Sequence, residues 1–326
     1  MTALMPPVSE LGAMIRRTLA SHPNTPWLPA PNSVSVTLLA DGVYHSNFLV
    51  RAPGVTYVAR VNRESQWGLS RSAQLSREFA VLRDLESAHV APAPIALIDV
   101  GPMPFIIESV VPGEYASHER DLIACAQAIA RAHDCAPVHS AALLDATPAK
   151  DFLLADGKAL LTSCRITESN QHTLGLLTDA ADLLGTVALT ETEQVLLHTD
   201  LIQKNLLVDQ GRCMIVDWEG ARIGDRAWDL AYFLSPVTLS WAYPPANLDD
   251  EQKATFITAY ARFAGVDRTE LAEQIRKFTA FVIFRALSWC TAYASNSTQI
   301  APSALDRLAV LTSPEYAADA LLELLR

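Results

Sequence analysis

The sequence predicts an α+β protein of two lobes: a small antiparallel β lobe with one helix, then a larger, mainly α-helical lobe. Three observations carry this expectation. Up to residue 111, short Val-, Leu- and aromatic-rich runs alternate with turn residues in the order β-β-β-α-β-β. From Asp121 the patterning becomes helical, beginning with the Ala-rich "DLIACAQAIARAHD". The change falls at "VPGE", a loop signal that divides the chain into residues 1–111 and 112–326. At 326 residues the chain has room for one large or two modest domains with a substantial core.

A helix is expected from Ser9 to Ala20, followed by the proline-rich connection "SHPNTPWLPAPN". "SVSVTLLA", "SNFLVRA" and "VTYVARVN" then read as strands separated by "DGVYH" and "PG". In "LSRSAQLSREFAVLRDLESAHV", Leu75, Phe79, Leu82 and Leu85 recur at helical spacing. "APAPIALIDVG" and "PMPFIIESVVPGE" supply two further strands. Residues 143–189 show no clear pattern. "RCMIVDWEG" reads as a short strand, "RAWDLAYFL" as a helix start, and long helical patterns run from Asp249 onward.

Half the residues are apolar and 19% are charged, as in ordinary globular proteins. The start lacks the order of a secretion signal, because Arg16 and Arg17 follow the apolar part. The most apolar stretch, from Phe278, is short and carries Arg285 at its middle, so it reads as a buried helix and not a membrane span. The five cysteines are scattered without ligand or disulfide spacing, which suits thiols in the cytoplasm. Eight of the 25 basic and eight of the 36 acidic residues fall in 1–111, leaving 17 and 28 beyond it. The whole net charge of −11 therefore sits in the C-terminal lobe. Such a surface repels nucleic acid and anionic lipid, attracts a cation, and also serves solubility.

Chemistry concentrates in "LLHTDLIQKNLLVD" and in the segment just C-terminal to it. His198-Thr199-Asp200 is followed five residues after the aspartate by Asn205, then by Asp217 at the end of "MIV" and Asp229 in "GDRAWDLA". Phosphoryl transfer needs a carboxylate to orient a hydroxyl nucleophile and take its proton, a role that suits Asp200. It also needs hard oxygen ligands for magnesium, which Asn205 and Asp217 offer. "NLLVDQGRCMIVD" has the length of a hairpin.

"HTDLIQKN" and "IVDWEGARIGDRAWDLA" resemble the catalytic loop and metal-binding segment of the aminoglycoside phosphotransferase and choline kinase family, small-molecule kinases of protein-kinase-like fold. The resemblance extends over most of the chain and implies an enzyme dependent on ATP and Mg2+. "LLADGVYHSNFLV" is similar to the loop over the ATP phosphates, with Gly42 and the backbone of Tyr44 to Asn47, including Ser46 and Asn47, at its tip. Arg60 takes the place of the phosphate-binding cation, with Glu78 as its helix carboxylate; Arg63 is a competing candidate. Arginine forks well onto phosphate oxygens. "FIIESVV" is expected to present backbone groups of Glu108 and Val110 to adenine, with the Glu108 side chain structural.

The same resemblance implies that Asp229 braces the loop, that His198 and His133 are structural, and that Asp225 caps a helix. Two departures stand out: Thr199 where glycine is common, and "IQK" before Asn205. Lys204 reads either as a solvated lysine or as a group near the γ-phosphate. The acceptor is expected to be a small hydroxylated molecule, cationic as an aminoglycoside or related antibiotic is. A metabolite such as choline, homoserine or a sugar, or a non-catalytic nucleotide-binding role, stands as the alternative. Trp218, Trp228, Trp241, Tyr232 and Tyr243 are available as cation–π faces or as core.

Overall fold

The computed structural model describes residues 6–21, 26–42, 44–65, 68–99, 103–242, 245–297, 300 and 302–322. The chain forms two compact units, 1–113 with 137–144 and 214–219, and 114–136 with 145–213 and 220–326. The units are thus discontinuous in sequence, and Asp217 belongs with the first although it lies 17 residues after Asp200, which belongs with the second. Main-chain pairing accounts for this, since the Ile215 N–H donates to the Val90 carbonyl at 2.7 Å.

In the first unit, helix α1 (Val8–Ala20) precedes strands β1 (Ser35–Asp41), β2 (His45–Ala52) and β3 (Val55–Asn62). Helix α2 (Arg71–Leu85) and strands β4 (Pro94–Ile98) and β5 (Phe105–Ser109) follow. The strands form one sheet in the order β1-β2-β3-β5-β4, and every described pairing is antiparallel. Strand alternation sorts the side chains. Ala59 and Val61 of β3 join Phe48, Val50, Phe105 and Ile107 against Leu11, Ile15 and Leu19 of α1. Arg60, between them, is turned to the opposite face and meets Glu78 of α2. Ser70 caps α2 by accepting from the Ala73 N–H.

The second unit opens with β6 (Glu114–Tyr115), α3 (Leu122–His133), α4 (Ala149–Ser163) and α5 (Gln171–Thr186). Strands β7 (Val195–Leu197), β8 (Leu206–Asp209), β9 (Arg212–Ile215) and β10 (Arg222–Gly224) come next. They form sheets in the orders β6-β8-β9 and β10-β7, and the chain passes from the second unit to the first within β9. Gln210 and Gly211 join β8 to β9 with φ of 48° and 76°, the paired left-handed residues of a two-residue hairpin turn.

Helices α6 (Arg226–Leu234), α7 (Pro236–Leu239), α8 (Asp250–Ala264), α9 (Arg268–Asn296), α10 (Pro302–Leu311) and α11 (Pro314–Leu322) complete the unit. Asp225 caps α6, as the sequence predicts, by accepting from the Ala227 N–H at 2.9 Å. The long α9 packs on α4, α5, α6 and α8 and buries Phe278, Phe281, Phe284 and Leu287. Its apolar run is thereby accounted for: among the described residues no helix is long and apolar enough to cross a membrane.

Candidate active site

In the second unit, β7 leads directly into His198-Thr199-Asp200. Asp229 of α6, 1% exposed, holds this loop. One of its oxygens accepts from the His198 N–H and the other from the Thr199 N–H, both at 2.7 Å. His133 reaches the same carboxylate through Nε2 at 3.2 Å, while its Nδ1 faces the Tyr260 hydroxyl at 2.7 Å. Burial raises the Tyr260 pKa, so the hydroxyl stays protonated and donates to His133. The Asp200 N–H in turn donates to His198 Nδ1 at 3.1 Å.

Both oxygens of the Asp200 side chain are fixed. Tyr232 on α6 donates its hydroxyl to Oδ1 at 3.0 Å, and Asn205 donates Nδ2 to Oδ2 at 3.0 Å. The same amide nitrogen also reaches the Asp200 carbonyl at 2.8 Å, so Oδ1 is the atom through which Asn205 could bind a cation. Burial, and then the Asp200 charge, push the Tyr232 pKa well up, so Tyr232 acts as a donor.

Thr199 has φ of 68°, a left-handed conformation that disfavours a β-branched residue. Its hydroxyl compensates by donating to the Gly220 carbonyl at 2.9 Å. A β-carbon on Gly220 would lie 2.7 Å from that hydroxyl and 3.3 Å from the His198 carbonyl. Gly220→Ala is therefore expected to lower stability by about 1–3 kcal/mol. Adding Thr199→Gly, which removes the obstructing hydroxyl and the strain, should recover most of that loss. A urea-denaturation double-mutant cycle reads the coupling, and additive effects would refute it.

In the first unit, Glu78 Oε1 lies 2.6 Å from Arg60 Nε, a charge contact out of line with the N–H. Arg60 Nη2 donates to Asp217 Oδ1 at 2.5 Å and lies 3.7 Å from Glu219. His45 completes the group, with Nε2 3.6 Å from Asp217 and Nδ1 3.5 Å from Glu219. Asp217 sits at φ 71°, a second strained residue. Among the described residues, His45, Asp217 and Glu219 offer three donor atoms within 4.8 Å of one another. The carboxylates suit a hard divalent cation, as does the Asn205 oxygen in the other unit.

Glu108 is 9% exposed, and burial raises its pKa to about 8, against a partial offset from Arg60. A carboxyl whose folded pKa is raised contributes stability below its unfolded pKa of about 4.5, and loses it as pH rises through the folded value. Stability should therefore fall between about pH 4.5 and pH 8, with a slope of up to about 1.4 kcal/mol per pH unit from this group, read as a falling melting temperature. Glu108→Gln should flatten that fall; an unchanged pH profile in the variant would refute the assignment.

Residues 35–273 match the model of the phosphotransferase enzyme family, a span that contains every residue just described. The chain belongs to the phosphotransferase enzyme family. No curated protein matches it in sequence. Among solved structures, ethanolamine kinase of Plasmodium vivax superposes with a TM-score of 0.68 at 15% identity, covering 100% of this chain and 90% of the other. Choline kinase of Cryptosporidium parvum gives 0.63 at 15%, covering 98% and 94%. Amicoumacin kinase, solved with AMP-PNP and Ca2+, gives 0.64 at 14%, covering 94% and 95%. These likenesses establish the protein-kinase-like fold, and the phosphotransferase is a small-molecule kinase.

Within this phosphotransferase, several residues lie elsewhere than the sequence suggested. The turn after β1 closes at Gly42, whose N–H donates to the His45 carbonyl at 2.8 Å. Ser46 and Asn47 lie beyond the tip, inside β2, because the loop is shorter than expected. Ser46 is fully buried and donates its hydroxyl to Asp41 at 2.7 Å. Arg63, the competitor of Arg60, pairs with Asp41 at 3.0 Å. Val110 lies just past β5 and is 39% exposed. Trp218 and Trp228 are core, at 1% and 2% exposure, and offer no open face. Tyr243 lies outside the described residues, and Lys204 is exposed.

Three functional candidates escaped sequence reasoning. Tyr232 drew notice only as an aromatic, although it stands three residues after Asp229, on the same side of α6. His45 and Glu219 carry no spacing signature. Glu219 lies two residues past Asp217, and Gln74 of α2 donates to its carbonyl at 2.8 Å.

Proposed function

We propose that this phosphotransferase moves the γ-phosphoryl group of ATP, with Mg2+, onto a hydroxyl of a small amine-bearing molecule. The observation that carries the reading is the doubly anchored Asp200 carboxylate, held at Oδ1 by Tyr232 and at Oδ2 by Asn205. A carboxylate so fixed can orient an acceptor hydroxyl for in-line attack and accept its proton as the new P–O bond forms. The β–γ bridging bond breaks and ADP leaves. Asn205 and Asp217 would hold the metal, which supplies neutralisation of phosphate charge. Arg60, held by Glu78, would bind phosphate oxygens, under the turn that closes at Gly42. Backbone groups of Glu108 and Val110 would meet the adenine.

Two observations support an amine on the acceptor. The whole −11 charge lies beyond residue 111, and solved neighbours are described as kinases of ethanolamine, choline and amicoumacin and as a spectinomycin phosphotransferase. All five cysteines are thiols, which supports a reducing, cytoplasmic setting.

The test is ADP release from ATP and Mg2+ over hydroxylated amines, for wild type and Asp200→Ala. Acceptor-stimulated turnover should vanish in the variant while ATP with Mg2+ still raises its melting temperature. Nucleotide binding by the wild type without turnover of any acceptor would instead favour a non-catalytic nucleotide-binding role.

A further inference from the structure

Between Phe281 and Tyr293 of α9, every residue is buried except Arg285, Trp289 and Tyr293. These stand at four-residue intervals and so form a single half-open stripe along the helix. From Ala227 to Leu234 of α6, which packs on α9, the one residue not buried is Tyr232, the group bonded to Asp200. Trp289 and Tyr293 stack at 5.0 Å and 7°, and Trp241 meets Trp289 edge-on at 6.0 Å. The stripe therefore carries one charge, Arg285, followed by aromatic surface.

Arg285 is joined to Asp156 of α4 by a single contact, Nε to Oδ2 at 2.9 Å. Their side chains keep 17% and 24% exposure. A guanidinium committed through Nε retains both terminal NH2 groups, and a carboxylate committed through Oδ2 retains Oδ1. The backbone holds the pair in place. Gly157, next to Asp156, lets α4 approach α9 so closely that a β-carbon there would lie 2.3 Å from Phe284 Cε1, next to Arg285. Burial opposes the Arg285 charge, but Asp156, Tyr232 and Asp200 outweigh it, so the pKa is raised and the cation persists. Arg285 thus shares the electrostatic surroundings of Asp200.

A bare cationic acceptor held beside Asp200 would meet this guanidinium at unfavourable cost, whereas a molecule carrying both charges would satisfy each half-used partner. We infer that the acceptor is a zwitterion, a hydroxylated amino acid or a molecule with a like ammonium–carboxylate pair, whose anionic group binds Arg285 and whose ammonium binds Asp156. This rests on the kinase reading above and narrows its acceptor class. The terminal NH2 groups suit a carboxylate geometrically, as a lysine ammonium would not.

Steady-state ADP formation decides it, with three matched probe sets. The first is L-homoserine, L-serine and L-threonine; the second is 3-amino-1-propanol, ethanolamine and choline; the third is hydroxy acids without an amine. At least one zwitterion should exceed its matched amine and hydroxy acid about tenfold or more in kcat/KM. Arg285→Lys and Arg285→Met should each raise the zwitterion KM by about 10- to 100-fold, the range for losing hydrogen bonds between charged groups. The KM for ATP should stay within about twofold, which separates lost acceptor binding from a disturbed fold. Asp156→Asn should raise the same acceptor KM and leave that of the hydroxy acid unchanged. Preference for bare amines or for hydroxy acids without an amine, or Arg285 variants that alter the KM for ATP and not for the acceptor, would overturn the inference and leave the kinase reading standing. No turnover with any probe, together with no thermal shift from ATP and Mg2+, would overturn both.

Discussion

Asp200→Asn is expected to lower kcat by about 10²- to 10⁴-fold, the range for removing a positioned proton acceptor. The substitution keeps the size of the side chain and the oxygen that faces a donor, so the loop should remain folded. It removes the negative charge that, in the proposed reaction, would orient the acceptor hydroxyl and take its proton. Tyr232→Phe isolates the positioning part of the effect. The Tyr232 hydroxyl touches only one oxygen of Asp200, at 3.0 Å, while Asn205 secures the other. Its loss should lower kcat by about tenfold, the equivalent of one hydrogen bond, with the KM for ATP unchanged. Single-turnover measurements separate this from slow product release. A kcat within twofold of wild type for Asp200→Asn would rule out Asp200 as the proton acceptor.

Asp229→Ala is expected to be the most destabilising single change in the second unit, by about 3–5 kcal/mol, as for breaking a buried charged network. The side chain is 1% exposed and accepts from the main-chain N–H groups of His198 and Thr199 and from His133. Alanine would leave both N–H groups without their acceptor, and each buried unsatisfied group costs about 1–3 kcal/mol. Asp229→Asn offers a single acceptor oxygen and should fall between alanine and wild type. The urea midpoint gives the stability change. Amide exchange at His198 and Thr199 should accelerate before the rest of the unit opens. A loss below about 1 kcal/mol for Asp229→Ala would show that the loop is held by something else.

The parts of the site that proved legible are those whose chemistry is written in short spacings. Asp200 and Asn205 stand five residues apart and meet in the structure because a short loop joins them. Asp225, next to the start of α6, could be read as its cap for the same reason. The first unit was equally open, since strand alternation and turn residues are local signals, and that alternation turned Arg60 away from the α1 face. Residues 143–189 were opaque because α4 buries only Ala149, Leu153 and Gly157, a narrow seam with leucines left on other faces. Gly157 within a helix also reads as a weak helix former. Its reason lies 127 positions away, in Phe284.

From the sequence by itself came the order of elements, the loop carrying Asp200 and Asn205, and the resemblance that names the reaction class. Hydrophobic period and residue spacing act over a few positions, and they suffice for these. Tertiary structure alone decided that Tyr232 donates to Asp200 from 32 residues away, and that Arg285 meets Asp156 across 129. It also decided that Asp217 joins the first unit, and that Trp218 and Trp228 are core. Such pairings arise where helices and strands remote in the chain pack together, and no local pattern encodes which faces will meet.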